Sequence, residues 1–181
     1  MDWVDIKSLK ANQLKDTFVT AVFSLIVENE SGVLARVIGL FSGRGYNIES
    51  LTVAPIEKDG RKSRINILTS GTAMVINQIK EQLNRQVPVY QVINLDEQGP
   101  YVARELALIK VVSTGPERTE ALNLADAFRA QVVDASVSSL VFELTGKTEK
   151  IDAFVDLLRP LGLVELSRTG IAAISRGVQT I

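Results

Sequence analysis

The chain has 181 residues, with 20 basic and 21 acidic side chains, 46% hydrophobic residues, and neither histidine nor cysteine. This is a globular composition, long enough for one large domain or two small ones at roughly 150 residues per domain. It excludes a Ser-His-Asp triad, a cysteine nucleophile, a Cys/His zinc site and a disulfide, and a net charge of −1 lacks the basic face that non-specific nucleic-acid binding needs.

Residues 1–17 read as a polar extension. Met1 to Lys7 mixes acidic with apolar residues and lacks the basic-then-apolar order of a signal peptide. No apolar run in the chain approaches the roughly 18 residues of a membrane span, so the expected location is the cytoplasm. Val19 to Val27 is an almost continuous apolar, β-branched run and predicts a buried strand. Over 32–43 the spacing of Val33, Val37, Leu40 and Phe41 predicts a helix, with Ser31 or Gly32 suited to its N-cap and Gly43 and Gly45 to its exit. Ile48 to Ala54 and Ser63 to Thr69 predict a hairpin about the Asp59-Gly60 turn. A helix over 72–86 follows, with Val75, Ile79 and Leu83 on its inner face, and then a strand from Val89 to Leu95.

Gly99-Pro100 marks a boundary, after which the order repeats. Leu106 to Val112 predicts a strand, and Gly115-Pro116 opens a helix with Ala121, Leu124, Ala125 and Phe128 facing inward. Val132 to Ser136 and Leu140 to Thr145 form a second hairpin. Ile151, Phe154, Val155 and Leu158 mark a helix ended by Pro160, and Leu163 to Ser167 is the last predicted strand. Two successive β-α-β-β-α-β units imply an α+β fold of two ferredoxin-like domains, each with its helices on one face of an antiparallel sheet. The other face of each sheet is then left bare. With few strong charges at the exposed strand positions, pairing between chains is expected.

The segment Asn29-Glu30-Ser31-Gly32-Val33-Leu34 ends a strand and starts a helix at a glycine. Asn29, Ser31 and Gly32 admit two readings. They cap the helix, or the open N–H groups of its first turn and the Asn29 amide receive an amino acid's carboxylate and ammonium. Asn47, in Gly45-Tyr46-Asn47-Ile48, is either a turn residue or a contact for a neighbouring chain's loop. Arg64 reads as a solvated strand charge, and Arg168 and Arg176, each near a glycine, as solvated charges or as forks onto a phosphate or a partner carboxylate. Gly-rich phosphate motifs and carboxylate clusters with metal-ligand spacing are absent from the sequence, and the central strands carry almost no aromatic residues for RNA stacking.

Residues 27–53, Val-Glu-Asn-Glu-Ser-Gly-Val-Leu-Ala-Arg-Val-Ile-Gly-Leu-Phe-Ser-Gly-Arg-Gly-Tyr-Asn-Ile-Glu-Ser-Leu-Thr-Val, resemble the ACT-domain signature of the acetolactate synthase small-subunit family. The resemblance continues through Arg104 to Lys110, Phe128-Arg129-Ala130, Leu144-Thr145-Gly146, and Arg168-Thr169-Gly170 to Ser175-Arg176-Gly177. It implies an ACT effector-binding domain over 18–96, a linker over 97–104 and a second ferredoxin-like domain over 105–181. It further implies a homodimer through the ACT domains, with valine or another branched-chain amino acid held between two chains. Asn29, Ser31, Gly32, Val33 and Leu34 of one chain would face Asn47 and Ile48 of the other. It implies no catalysis and no cofactor in this chain. The partner would be a catalytic large subunit carrying thiamine diphosphate, FAD and Mg²⁺, which condenses pyruvate to 2-acetolactate and is activated by this chain unless valine is bound. Two other classes have the same topology: a free-standing amino-acid sensor, and an acylphosphatase-type enzyme using Arg36, Arg44 and Asn47.

Overall fold

A computed structural model describes residues 18–178, 180 and 181; the extension expected at 1–17 lies outside them. The chain forms two compact units. One runs through Val102 and takes in the C-terminal segment from Ala173, and the other spans Ala103–Ala172. Residues 97–104, expected as a linker, hold the end of a short helix and the start of a strand. The last residues, expected with the second domain, group with the first.

The first unit contains β1 (Phe18–Glu28), α1 (Val33–Arg44), β2 (Ser50–Pro55), β3 (Lys62–Thr72), α2 (Ala73–Asn84) and β4 (Val89–Asn94). Its four-stranded sheet has the order β2-β3-β1-β4 with antiparallel neighbours, the ferredoxin-like arrangement. Side chains alternate across a strand, so Phe23, Leu25 and Val27 of β1 and Ile65 and Ile67 of β3 meet Val37, Leu40, Phe41, Ile79 and Leu83 of the two helices in one core. A short helix α3 (Leu95–Gln98) follows β4, in the stretch that the sequence marks as a boundary. Asn94 caps it, and its Asp96 carboxylate accepts from the Val22 N–H at 2.8 Å, just past the end of the β1–β4 ladder. A backbone donor with no strand partner is thereby satisfied.

The bare face expected on this sheet is in part covered. Val22, Ser24 and Ile26, which alternate with the core residues of β1, are as buried as the core itself, and this explains why the run is continuous instead of alternating. Part of the cover comes from β9 (Ala172–Ser175), a strand the sequence reading did not anticipate. The Asn66 carboxamide donates to Ser24 Oγ at 3.0 Å and to the Ala173 carbonyl at 3.3 Å, and accepts from the Ala173 N–H at 3.3 Å.

The second unit contains β5 (Tyr101–Val112), whose first residues belong to the other unit, then α4 (Gly115–Phe128), β6 (Gln131–Ala135), β7 (Ser139–Gly146), α5 (Thr148–Leu158) and β8 (Leu163–Arg168). The sheet order β6-β7-β5-β8 repeats that of the first unit. Ile109, Phe142, Leu144, Ile151, Phe154 and Leu158 fill its core, with the Phe128 and Phe154 rings 5.0 Å apart. The far face of this sheet is mixed, with more charge than expected beside the exposed Leu108 and Val112. Lys110 donates to Glu165 at 2.6 Å, and Asp134 and Glu143 lie on the same face by register.

Arg168 does not reach for a phosphate or a partner. Its Nε and one terminal nitrogen each lie 2.7 Å from the two oxygens of Glu105, and its other nitrogen lies 2.7 Å from Asp152. Thr148 also donates to Glu105, which is 5% exposed. This bidentate clasp ties β8 to β5 and α5, and the Glu105 carboxylate holds the Arg168 guanidinium in its charged form. Glu105→Ala is expected to cost about 2–3 kcal/mol of unfolding free energy. That is less than a fully buried pair loses, because Arg168 is partly exposed and keeps Asp152. Urea titration of the full chain checks this.

Candidate functional site

β1 ends at Glu28, and the chain turns through Asn29 to Gly32 into α1. The turn is fixed from two sides. The Glu28 N–H donates to the Pro88 carbonyl and the Asn29 N–H to the Arg61 carbonyl, both at 2.8 Å. Gly32 is the N-cap of α1 at φ +89°, in the left-handed region that side chains disfavour. No side chain caps the helix and no acidic residue sits in its first turn, so Ser31 is not the cap. The Gly32 carbonyl accepts from the Arg36 N–H at 3.0 Å. What remains is a solvent-facing helix start with a positive dipole end and no carboxylate to meet it.

Asn29, Ser31 and Gly32 are exposed, Leu34 is half-buried, and Val33 is buried in the core. Val33 can therefore meet a ligand only through its backbone, and its N–H already donates to the Glu30 carbonyl at 3.3 Å. Asn29 Nδ2 donates to the Gly60 carbonyl at 2.7 Å. This settles the orientation of the amide, since a carbonyl can only accept, and leaves Oδ1 and the second Nδ2 hydrogen as the groups that Asn29 offers to a ligand.

Asn47 and Ile48 lie beyond the other end of α1. Gly45, at φ +69°, and Tyr46 close the helix with bonds from their N–H groups to the carbonyls of Ser42 and Phe41, a Schellman exit. Asn47 is exposed, its carbonyl accepting from Thr69 Oγ1, while Ile48 packs half-buried against the core. The two groups of predicted residues are not brought together in one protomer. The 12 residues of α1 span about 18 Å at 1.5 Å per residue, several times the length of an amino acid.

The sequence reading did not include the β2–β3 hairpin tip, whose Gly60 and Arg61 carbonyls hold Asn29 in place. Together with Glu30, Glu57, Lys58 and Tyr90 it lines an open depression beside the loop. The Asp59-Gly60 turn was legible, but its contact with Asn29 spans 31 residues and left no local signal. Arg64 is not a solvated charge. It is half-buried, its Nε has no hydrogen-bond partner, and desolvation disfavours its charged form. Arg44 donates to Gln82 at 3.1 Å, an ordinary contact between helices rather than part of a phosphate cradle. Among the described residues no group of three or more acidic, His or Cys side chains could hold a metal ion, and no helix is long and apolar enough to cross a membrane.

Two family models match the chain: an AHAS small subunit-like ACT domain over residues 23–91, and the small subunit of acetolactate synthase over residues 104–177. The acetolactate synthase small subunit of Haemophilus influenzae is 45% identical over 161 residues, covering 88% of this chain and 98% of that protein. The acetolactate synthase isozyme 3 small subunit of Escherichia coli is 45% identical over 157 residues, covering 86% of this chain and 95% of its own. Among solved structures, the acetolactate synthase small subunit of Thermotoga maritima superposes with a TM-score of 0.81 at 36% identity, covering 88% of this chain and 98% of its own. With both halves of the chain matched and its relatives covered almost end to end, the chain belongs to the acetolactate synthase small-subunit family.

Proposed function

We propose that this chain is the regulatory subunit of acetolactate synthase, activating a separate catalytic subunit in the cytoplasm and withdrawing that activation when two of its copies clamp valine between them. The thiamine diphosphate, FAD and Mg²⁺ of the reaction belong to the catalytic subunit. The observation that carries the reading is the placement of the site residues at opposite ends of α1. One chain holds a helix start with no side-chain cap and Asn29 beside it, and only a second chain can supply Asn47 to the same ligand.

The surface of the first unit suits a second copy. β2 is an edge strand, and Val53 on it is 45% exposed, so a row of backbone donors and acceptors is available for pairing. On α1, Ala35, Gly39 and Gly43 recur every four residues on one exposed face. A Cβ on either glycine would meet nothing within 4 Å, so their small size serves no packing inside the protomer. Two α1 helices laid antiparallel about a two-fold axis approach closely along such a face and bring each Gly32 beside the partner's Asn47.

In that arrangement the valine carboxylate takes N–H groups of the first turn of α1, its ammonium meets Asn29 Oδ1 and the Asn47 amide, and Leu34 and Ile48 border its isopropyl group. One methylene is worth about 1–3 kcal/mol in an apolar pocket, so leucine and isoleucine are modest competitors. Valine acts by binding one arrangement of the two chains better than the other, and a coupling of about 1–3 kcal/mol suffices for feedback. The test is acetolactate formation by the same organism's catalytic subunit, with and without this chain and with and without valine. Activation that valine reverses is expected. A chain that binds valine yet leaves acetolactate formation unchanged is a free-standing sensor, and the proposal fails.

A further inference from the structure

We infer that the tip of the β2–β3 hairpin is a positioning device for the effector site, with Gly60 as the residue that sets how Asn29 reads an ammonium group. This rests on the assignment of Asn29 to the valine site and adds to it a determinant 31 positions away in the chain.

Asn29 is exposed, and an exposed asparagine ordinarily rotates about two side-chain bonds with either end of its amide outward. Here a fixed backbone and one side-chain bond restrict that freedom. Its backbone N–H is held by the Arg61 carbonyl at 2.8 Å and its Nδ2 by the Gly60 carbonyl at 2.7 Å. With its nitrogen end held on Gly60, the amide turns its Oδ1 acceptor outward, and that gives a ligand cation a partner in the site. A 2-amino acid therefore gains a bond at Oδ1 that the 2-oxo acid with the same side chain lacks, since a ketone oxygen facing Oδ1 makes no hydrogen bond.

The Gly60 carbonyl points at Asn29 because of how the tip is folded. The Gly60 N–H closes the turn on the Glu57 carbonyl at 3.0 Å, Asp59 accepts from the Arg61 N–H and side chain, and Ile56 resumes the ladder with Lys62 at 3.0 Å. Gly60 itself lies at φ +68°, and a Cβ there would meet only Asn29 Nδ2, at 4.0 Å. The requirement at this position is thus conformational and not steric. Asparagine, which tolerates the left-handed region, should preserve the carbonyl direction, whereas valine, β-branched, should force the turn to refold and swing the carbonyl away.

A double-mutant cycle read by calorimetric titration of the full chain with valine tests this. Gly60→Val should weaken valine binding roughly 3- to 10-fold, the worth of one hydrogen bond, and Gly60→Asn should bind within about twofold of the parent, a difference too small to equal a lost hydrogen bond. In an Asn29→Ala background Gly60→Val should cause no further loss, because the group it positions is gone. Equal losses in both backgrounds, or normal valine affinity in Gly60→Val, overturn the inference while leaving the Asn29 site intact. Normal affinity in Asn29→Ala alone overturns the site, and the inference with it.

Discussion

Asn29→Ala is expected to weaken valine binding by about 10- to 100-fold, the range that follows from losing a charge-assisted hydrogen bond to an ammonium group. Calorimetric titration of the full chain measures the loss directly. The effect should fall on the ligand and not on the fold. The Asn29 side chain is exposed, α1 is capped by Gly32 rather than by Asn29, and the backbone bond from Asn29 to Arg61 survives the substitution. Asn47→Ala should do the same from the other end of α1. The turn it occupies is held by its carbonyl and by the Schellman exit of the helix, neither of which needs the Asn47 side chain. Unchanged valine affinity in both variants would place the effector elsewhere on the chain.

The largest loss of stability is expected in the second unit. Gly162 follows α5 and its short 3₁₀ extension at φ +96°, and its carbonyl accepts from the Val112 N–H at 2.8 Å. A Cβ there would stand 2.3 Å from the Val112 carbonyl oxygen. Two costs therefore add in Gly162→Ala: about 1–2 kcal/mol for a side chain in the left-handed region, and about 1–3 kcal/mol for a backbone shift in a packed neighbourhood. An unfolding free energy lower by about 3–4 kcal/mol, from urea denaturation, is the expected result. Gly39→Ala on α1 makes the contrast. Its Cβ meets nothing within 4 Å, and in the separated protomer alanine should match or exceed glycine, because alanine is the better helix former.

The two sheets and their helices were legible because their signals are local. The stripe Ile151, Phe154, Val155, Leu158 is buried throughout, and Gly32 and Gly45 at the ends of α1 take the left-handed conformations that only glycine adopts cheaply, whereas Gly43, also expected at the exit, lies inside the helix. What escaped the sequence is held by contacts across the chain. β9 is only four residues long, two of them alanine, and its identity as a strand depends on Asn66 and β5. Arg168 beside Gly170 suggested an anion grip, yet its partner is Glu105, 63 positions earlier. The covered face behind β1 was present in the sequence as an almost continuous apolar run, but nothing local says which segment covers it. Within the candidate site, Asn29 and Gly32 stood out through helix-end chemistry, whereas the hairpin carbonyls that orient Asn29 carry no residue-type signature at all.

Whether valine bridges two chains is decided by a mixed dimer. One chain carries Asn29→Ala, the other Asn47→Ala, and the heterodimer is isolated with two different tags and titrated with valine. One of its two sites then lacks both amides, while the other pairs an intact Asn29 from one chain with an intact Asn47 from its partner. Neither variant homodimer should bind at parental affinity, and the heterodimer should bind one valine per dimer with the parental constant. A heterodimer that binds no better than either homodimer would show that Asn29 and Asn47 do not meet on one ligand, and the two-chain site would be wrong.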